Sequence, residues 1–87
     1  MEITLYRVIA EREVEEWDAD RVPYITSERF LDDLYPTKID AIRVAQKTHS
    51  KRICYVRVLR IVIGKRGEQS SKLVYKKLYQ KLRKISW

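Results

Sequence analysis

Apolar positions form their longest β-forming run over Arg52-Ile-Cys-Tyr-Val-Arg-Val-Leu-Arg-Ile-Val-Ile63. In a strand, successive side chains face opposite sides. One side then carries Ile53, Tyr55, Arg57, Leu59, Ile61 and Ile63, and the other Cys54, Val56, Val58, Arg60 and Val62. Both sides are mostly apolar. The pattern predicts a central strand near 52–63, covered at least partly on both faces. Residues 3–10 predict a second strand, with Ile3, Leu5 and Ile9 on one side and Tyr6, Val8 and Ala10 on the other. Pairing the two satisfies backbone amides that a lone strand leaves open.

A helical period takes over near 37–48. Pro36 and Thr37 form a start signal, and Asp40 puts a negative charge in the first turn, where the helix dipole favours it. Ala41 and Ala45 lie in the middle of the apolar arc, flanked by Ile39, Ile42 and Val44. Small residues there let a helix lie close on a sheet. His49 follows the helix end, where a capping role suits it better than catalysis.

Three other stretches are less regular. Glu11–Asp20 is acidic and reads as either a strand extension or a helical turn, with a turn at Asp18–Asp20 and Trp17 as an anchor against the domain body. Residues 27–35 place Phe30, Leu31, Leu34 and Tyr35 within an arc of about 140°, which favours a short helix over an edge strand. After the glycine-flanked turn Gly64-Lys-Arg-Gly67, residues 71–86 predict a basic C-terminal helix. Val74, Tyr75, Leu78, Tyr79, Leu82 and Ile85 share its apolar arc, and Lys72, Lys76, Lys77, Lys81, Arg83 and Lys84 lie opposite. No internal repeat, linker or low-complexity segment is evident. The expected fold is one α+β domain over 1–87, with a small sheet of two to four strands.

Composition sharpens this picture. The chain has 87 residues and a net charge of +7. Residues 1–36 carry a net −6 and residues 37–87 a net +13. Whether that split persists in space depends on the fold; if it does, the basic part offers a surface for phosphate or for an acidic protein. One cysteine, Cys54, and one histidine, His49, argue against a disulfide framework and a Cys/His metal site. With no signal-peptide pattern at the start and no long apolar run, the expected setting is cytoplasmic, without membrane contact.

The chemistry-bearing motifs of enzymes are missing. There is no Gly-x-Ser-x-Gly, no phosphate-binding glycine loop and no helix-turn-helix. The carboxylates of 11–20 lack a second motif, so a solvated face or counter-charge fits them better than a metal site. No catalytic activity, metal or cofactor is expected. The strongest functional signal is the cationic C-terminal region: Lys65, Arg66, Lys72, Lys76, Lys77, Lys81, Arg83 and Lys84, interleaved with aromatics. These residues suit contact with a nucleic-acid backbone, with Tyr79, Trp87 or Trp17 available for stacking or as hot spots. Arg57 and Arg60 on the central strand either extend the cationic surface or pair with Glu11 or Glu13 across strands. The alternative expectation is a protein-binding regulator or inhibitor, of the kind phages and other mobile elements carry, docking on an acidic protein surface. A homodimer through an open sheet edge or the last helix is a third expectation.

Overall fold

The computed structural model describes residues 1–79. It contains β1 (Ile3–Trp17), β2 (Pro23–Tyr35), α1 (Lys38–Lys47), β3 (Cys54–Ile63) and β4 (Gln69–Tyr79). The strands form one antiparallel sheet in the order β2-β1-β3-β4. The helix connects an outer strand to an inner one and lies on one side of the sheet. The fold is therefore α+β, with the predicted central strand and helix in place. No helix among the described residues is long and apolar enough to cross a membrane.

Helix α1 begins where the sequence places it. Thr37 stays extended, accepts from the Asp40 amide at 3.3 Å and donates its hydroxyl to the Asp40 carboxylate at 2.8 Å. Ala41 and Ala45 are fully buried against Val8, Ala10, Cys54, Val56 and Val58. Methyl-sized side chains on the helix meet β-branched ones on the sheet, so the helix sits close.

The opposite side of the sheet has no covering layer among the described residues, contrary to the expectation of cover on both faces. Ile9 and Ile61 on the inner strands are buried, while Leu34 and Leu73 on the outer strands stay exposed. The ten residues of α1 lie on the other face.

Two predicted helices are corrected. Residues 27–35 belong to β2, and the described part of the predicted 71–86 helix, through Tyr79, belongs to β4. Each strand has a bulge, opposite Ala10/Glu11 and Val58/Leu59 respectively. The extra residues are Phe30 and Val74. Each bulge turns two consecutive side chains, Phe30 with Leu31 and Val74 with Tyr75, onto the helix-side core. Both strands also supply partners for amides that β1 and β3 would otherwise leave unpaired.

The acidic stretch resolves as strand. β1 outruns β3, whose pairing with it stops at Arg12↔Cys54. Beyond that point, Val14–Trp17 pairs only with Pro23–Thr26 in a two-stranded ribbon. Asp18 closes its turn by accepting from the amides of Asp20 and Val22 at 2.9 and 2.8 Å. Trp17 is not an anchor: it stands at the ribbon end, 63% exposed.

The registers hold a relationship that no single sequence period displays. The hairpins β1–β2 and β3–β4 correspond residue by residue about a pseudo-two-fold axis normal to the sheet. Val8 corresponds to Val56, Arg12 to Arg60, Leu34 to Leu78 and Tyr35 to Tyr79, and the two bulges coincide.

Candidate nucleic-acid interface

The pseudo-symmetry isolates what is peculiar to the basic half. In the first hairpin, Glu28, Asp32 and Asp33 occupy β2; in the second, the corresponding positions of β4 are Lys72, Lys76 and Lys77. The same backbone, bulge and core pattern thus carry opposite charge. Because β1 and β2 lie on one side of the sheet and β3 and β4 on the other, the charge split of the sequence becomes a split in space.

The consequences are clearest at two arginines. Arg12 faces Glu28 across the strands, with its guanidinium 3.3 Å from the carboxylate, and lies over the Phe30 ring at 5.2 Å. Its counterpart Arg60 faces Lys72 and lies over the Tyr6 ring at 5.9 Å. Like charges directly opposite one another disfavour a strand pair. Among the described residues neither Arg60 nor Lys72 has a carboxylate partner.

Arg57 behaves differently. It faces Lys76, but it also donates to Glu11 at 3.0 Å, the structural alternative considered from the sequence. Glu11 also lies 3.9 Å from Arg29, which reaches Asp32 at 3.3 Å, and Arg7 donates to both Asp32 oxygens at 2.7 and 2.6 Å. The open face thus carries a line of ion pairs, Arg57–Glu11–Arg29–Asp32–Arg7, with an arginine at each end. Arg7 and the neighbouring Arg29 hold the Asp32 carboxyl below its usual range.

The cations singled out in the sequence do not form one face. Lys72 and Lys77 point to the helix side of β4, Lys76 points to the open side, and Lys65 and Arg66 sit in the β3–β4 turn. Lys77 is a structural group: its ammonium donates to the backbone oxygens of Gln46 and Thr48 at 2.7 and 3.0 Å, capping α1. Tyr79 packs on the helix-side core beside His49 instead of presenting a free ring. Lys81, Arg83, Lys84 and Trp87 lie outside the described residues. Sequence reasoning named Arg60 only as a secondary clue; its lack of a carboxylate partner becomes visible in comparison with Arg12.

The turn is built to project its cations. Gly67 adopts φ 82 and its amide returns to the Gly64 oxygen at 3.0 Å. Glu68 accepts from the Arg66 amide at 3.0 Å, and among the described residues the Lys65 and Arg66 side chains make no salt bridge.

Elsewhere, charges are spent internally. A cleft of about 450 Å³ at the ribbon base is lined by Arg12, Glu13, Val14, Glu28, Ser50, Lys51 and Arg52. Arg12 is bridged to Glu28 there, and Arg52 lies 3.7 Å from Glu15. Glu16 accepts from the Tyr24 hydroxyl at 2.7 Å, which raises that phenol's pKa. Among the described residues no three His, Cys, Asp or Glu side chains gather as a metal site. No family model, curated protein or solved structure matches the chain.

Proposed function

We propose that this chain is a non-catalytic binding protein that holds a nucleic-acid backbone on its β3–β4 half, through Arg60, Lys65, Arg66 and Lys72. The observation that supports the reading is the charge inversion between equivalent hairpins. Lysines on an edge strand ordinarily guard it against pairing with other strands. That role needs charge but not a particular sign, and β2, the other edge, serves it with acids. The sign on β4 therefore calls for a different reason, and the Arg60–Lys72 pair gains most from an anion placed between its members. Backbone contact fits better than base readout, since the surface is a strand edge and a turn without stacking aromatics.

Fluorescence anisotropy with labelled single-stranded RNA, single-stranded DNA and duplex DNA tests this. Binding to duplex should weaken with salt by a log–log slope of about 0.9 per phosphate contacted. Replacing Lys65, Arg66 and Lys72 by Ala should flatten that slope, with Lys77 kept for the fold. Absence of binding at physiological salt would defeat the reading.

A second reading rests on the ribbon. Trp17, Val22 and Ile25 are exposed on an acidic, two-stranded projection. Such a projection suits a protein contact with Trp17 as its hot spot. In that reading the basic half docks on an acidic protein surface, as a regulator or inhibitor would. A Trp17→Ala variant that keeps nucleic-acid binding but loses a captured protein would favour it.

A further inference from the structure

We infer that the open face of the sheet is the interface of a homodimer, in which two copies pack face to face about a two-fold axis running along the strands between β1 and β3. This inference does not depend on the nucleic-acid reading.

The first argument is surface. The chain exposes 7192 Å², whereas a compact monomer of 10.5 kDa exposes about 5,400 Å². Its radius of gyration is 16.8 Å, against about 12 Å for a compact domain of this length. The projecting ribbon and the open face share that excess, and a standard interface buries about 800 Å² per partner, less than the whole of it. Stacking two such sheets gives the two-layer arrangement that stable sheets adopt.

The second argument is self-complementarity. Across the open face, paired residues run Leu34–Arg7–Leu59–Leu73 in one row and Asp32–Ile9–Arg57–Lys76 in the next. A two-fold axis between β1 and β3 places β2 of one copy over β4 of the other. At the flanks Leu34 then meets Leu73 of the second copy and Asp32 meets Lys76, while over the inner strands the aliphatic stem of Arg7 lies across Leu59 and that of Arg57 across Ile9. Nearer the turn, Leu5 meets Ile61 at the axis. The ion pairs already formed let Asp32 and Glu11 offset two of the three cations Arg7, Arg29 and Arg57 before this face is covered, and the buried Arg57 Nε has no hydrogen-bond partner within the described residues. A partner of another kind would have to reproduce this opposed pattern; a second copy carries it already. In the dimer both Lys65–Arg66 turns lie at the same end, and both acidic ribbons at the other.

Sedimentation equilibrium at near-physiological salt tests the assembly. A dimer is expected at about 100 µM, well above the micromolar Kd that the weakest standard-size interfaces show. Leu34→Glu and Leu73→Glu, both at exposed positions, should each give a monomer with an unchanged far-ultraviolet spectrum. The register has its own test in a Cys54→Ala background. Mixing Leu34→Cys chains with Leu73→Cys chains should yield a disulfide-linked dimer on oxidation, while either chain alone should not. A monomeric wild type, a dimer indifferent to both Glu variants, or crosslinking within a single-cysteine chain would each overturn the proposal. The last two results would point to edge pairing or another face.

Discussion

Lys77 on β4 donates to the backbone oxygen of Gln46 at 2.7 Å, and so an edge-strand lysine closes the C-terminal end of the helix. A second bond to Thr48 at 3.0 Å completes the cap, and the helix dipole favours the charge there. The residue that looks like one more surface cation in the sequence is a fastening between α1 and β4.

Replacing it should register in stability. Lys77→Met removes two charge-assisted bonds and is expected to cost about 1–3 kcal/mol, while Lys65→Met in the exposed β3–β4 turn should stay within about 0.5 kcal/mol. Urea unfolding at equal m-value separates the two. Coincident midpoints would show that the cap contributes nothing.

The Arg7–Asp32 pair predicts an acid dependence. Its folded carboxyl titrates below the usual range, chiefly because Arg7 hydrogen-bonds to it. The unfolded chain therefore binds more protons than the folded one between the two pKa values, and stability rises with pH in that window. The contribution is present above the unfolded value of about 3.9 and is lost as pH falls through the lower folded value. Thermal midpoints measured down through this range should fall less steeply for Asp32→Asn than for the wild type. Parallel curves would remove Asp32 from the account.

Cys54 offers a probe of the core. It is fully buried, and burial pushes its thiol pKa up. A thiol reagent should therefore label the native chain far more slowly than the urea-unfolded one, at a rate set by opening. Equal rates would mean that the helix does not stay on the sheet.

The β3–β4 turn depends on Gly67. A methyl group there meets nothing within 4 Å, so the cost of Gly67→Ala comes from its φ of 82 alone. The expected loss is about 1 kcal/mol. Gly67→Asn should lose less, because Asn tolerates the left-handed region better. Thermal unfolding of both variants decides this, and an Ala variant as stable as the wild type would show that the turn relaxes.

How far the sequence revealed this architecture depends on how regular each stretch is. Helix 37–48 was legible because its cap, first-turn acid and alanine pair agree. The central strand was legible because its β-forming apolar run is long and nearly continuous, broken only by Arg57 and Arg60. β2 and β4 were misread for one shared reason. A bulge puts Phe30 beside Leu31, and Val74 beside Tyr75, on the core side; with Leu34–Tyr35 and Leu78–Tyr79 four residues on, the spacing mimics the apolar arc of a helix. The cations of the candidate interface were visible as composition. Their division between two faces was not, because a helix gathers Lys72, Lys76 and Lys77 onto one side and a strand separates them. The role of Lys77 required knowing where α1 ends. Asp32 and Lys76 show their correspondence only once the registers are set side by side.

The strand order also bears on how the sheet is assembled during synthesis. β2 follows β1 and closes on it through a turn; β3, after the helix, takes the other edge of β1; β4 then takes the free edge of β3. Every strand leaving the ribosome finds its neighbour already made, and none must be inserted between strands already joined. The sheet can therefore grow outward in the order of translation, and no early strand has to wait, unpaired and prone to aggregate, for a distant partner.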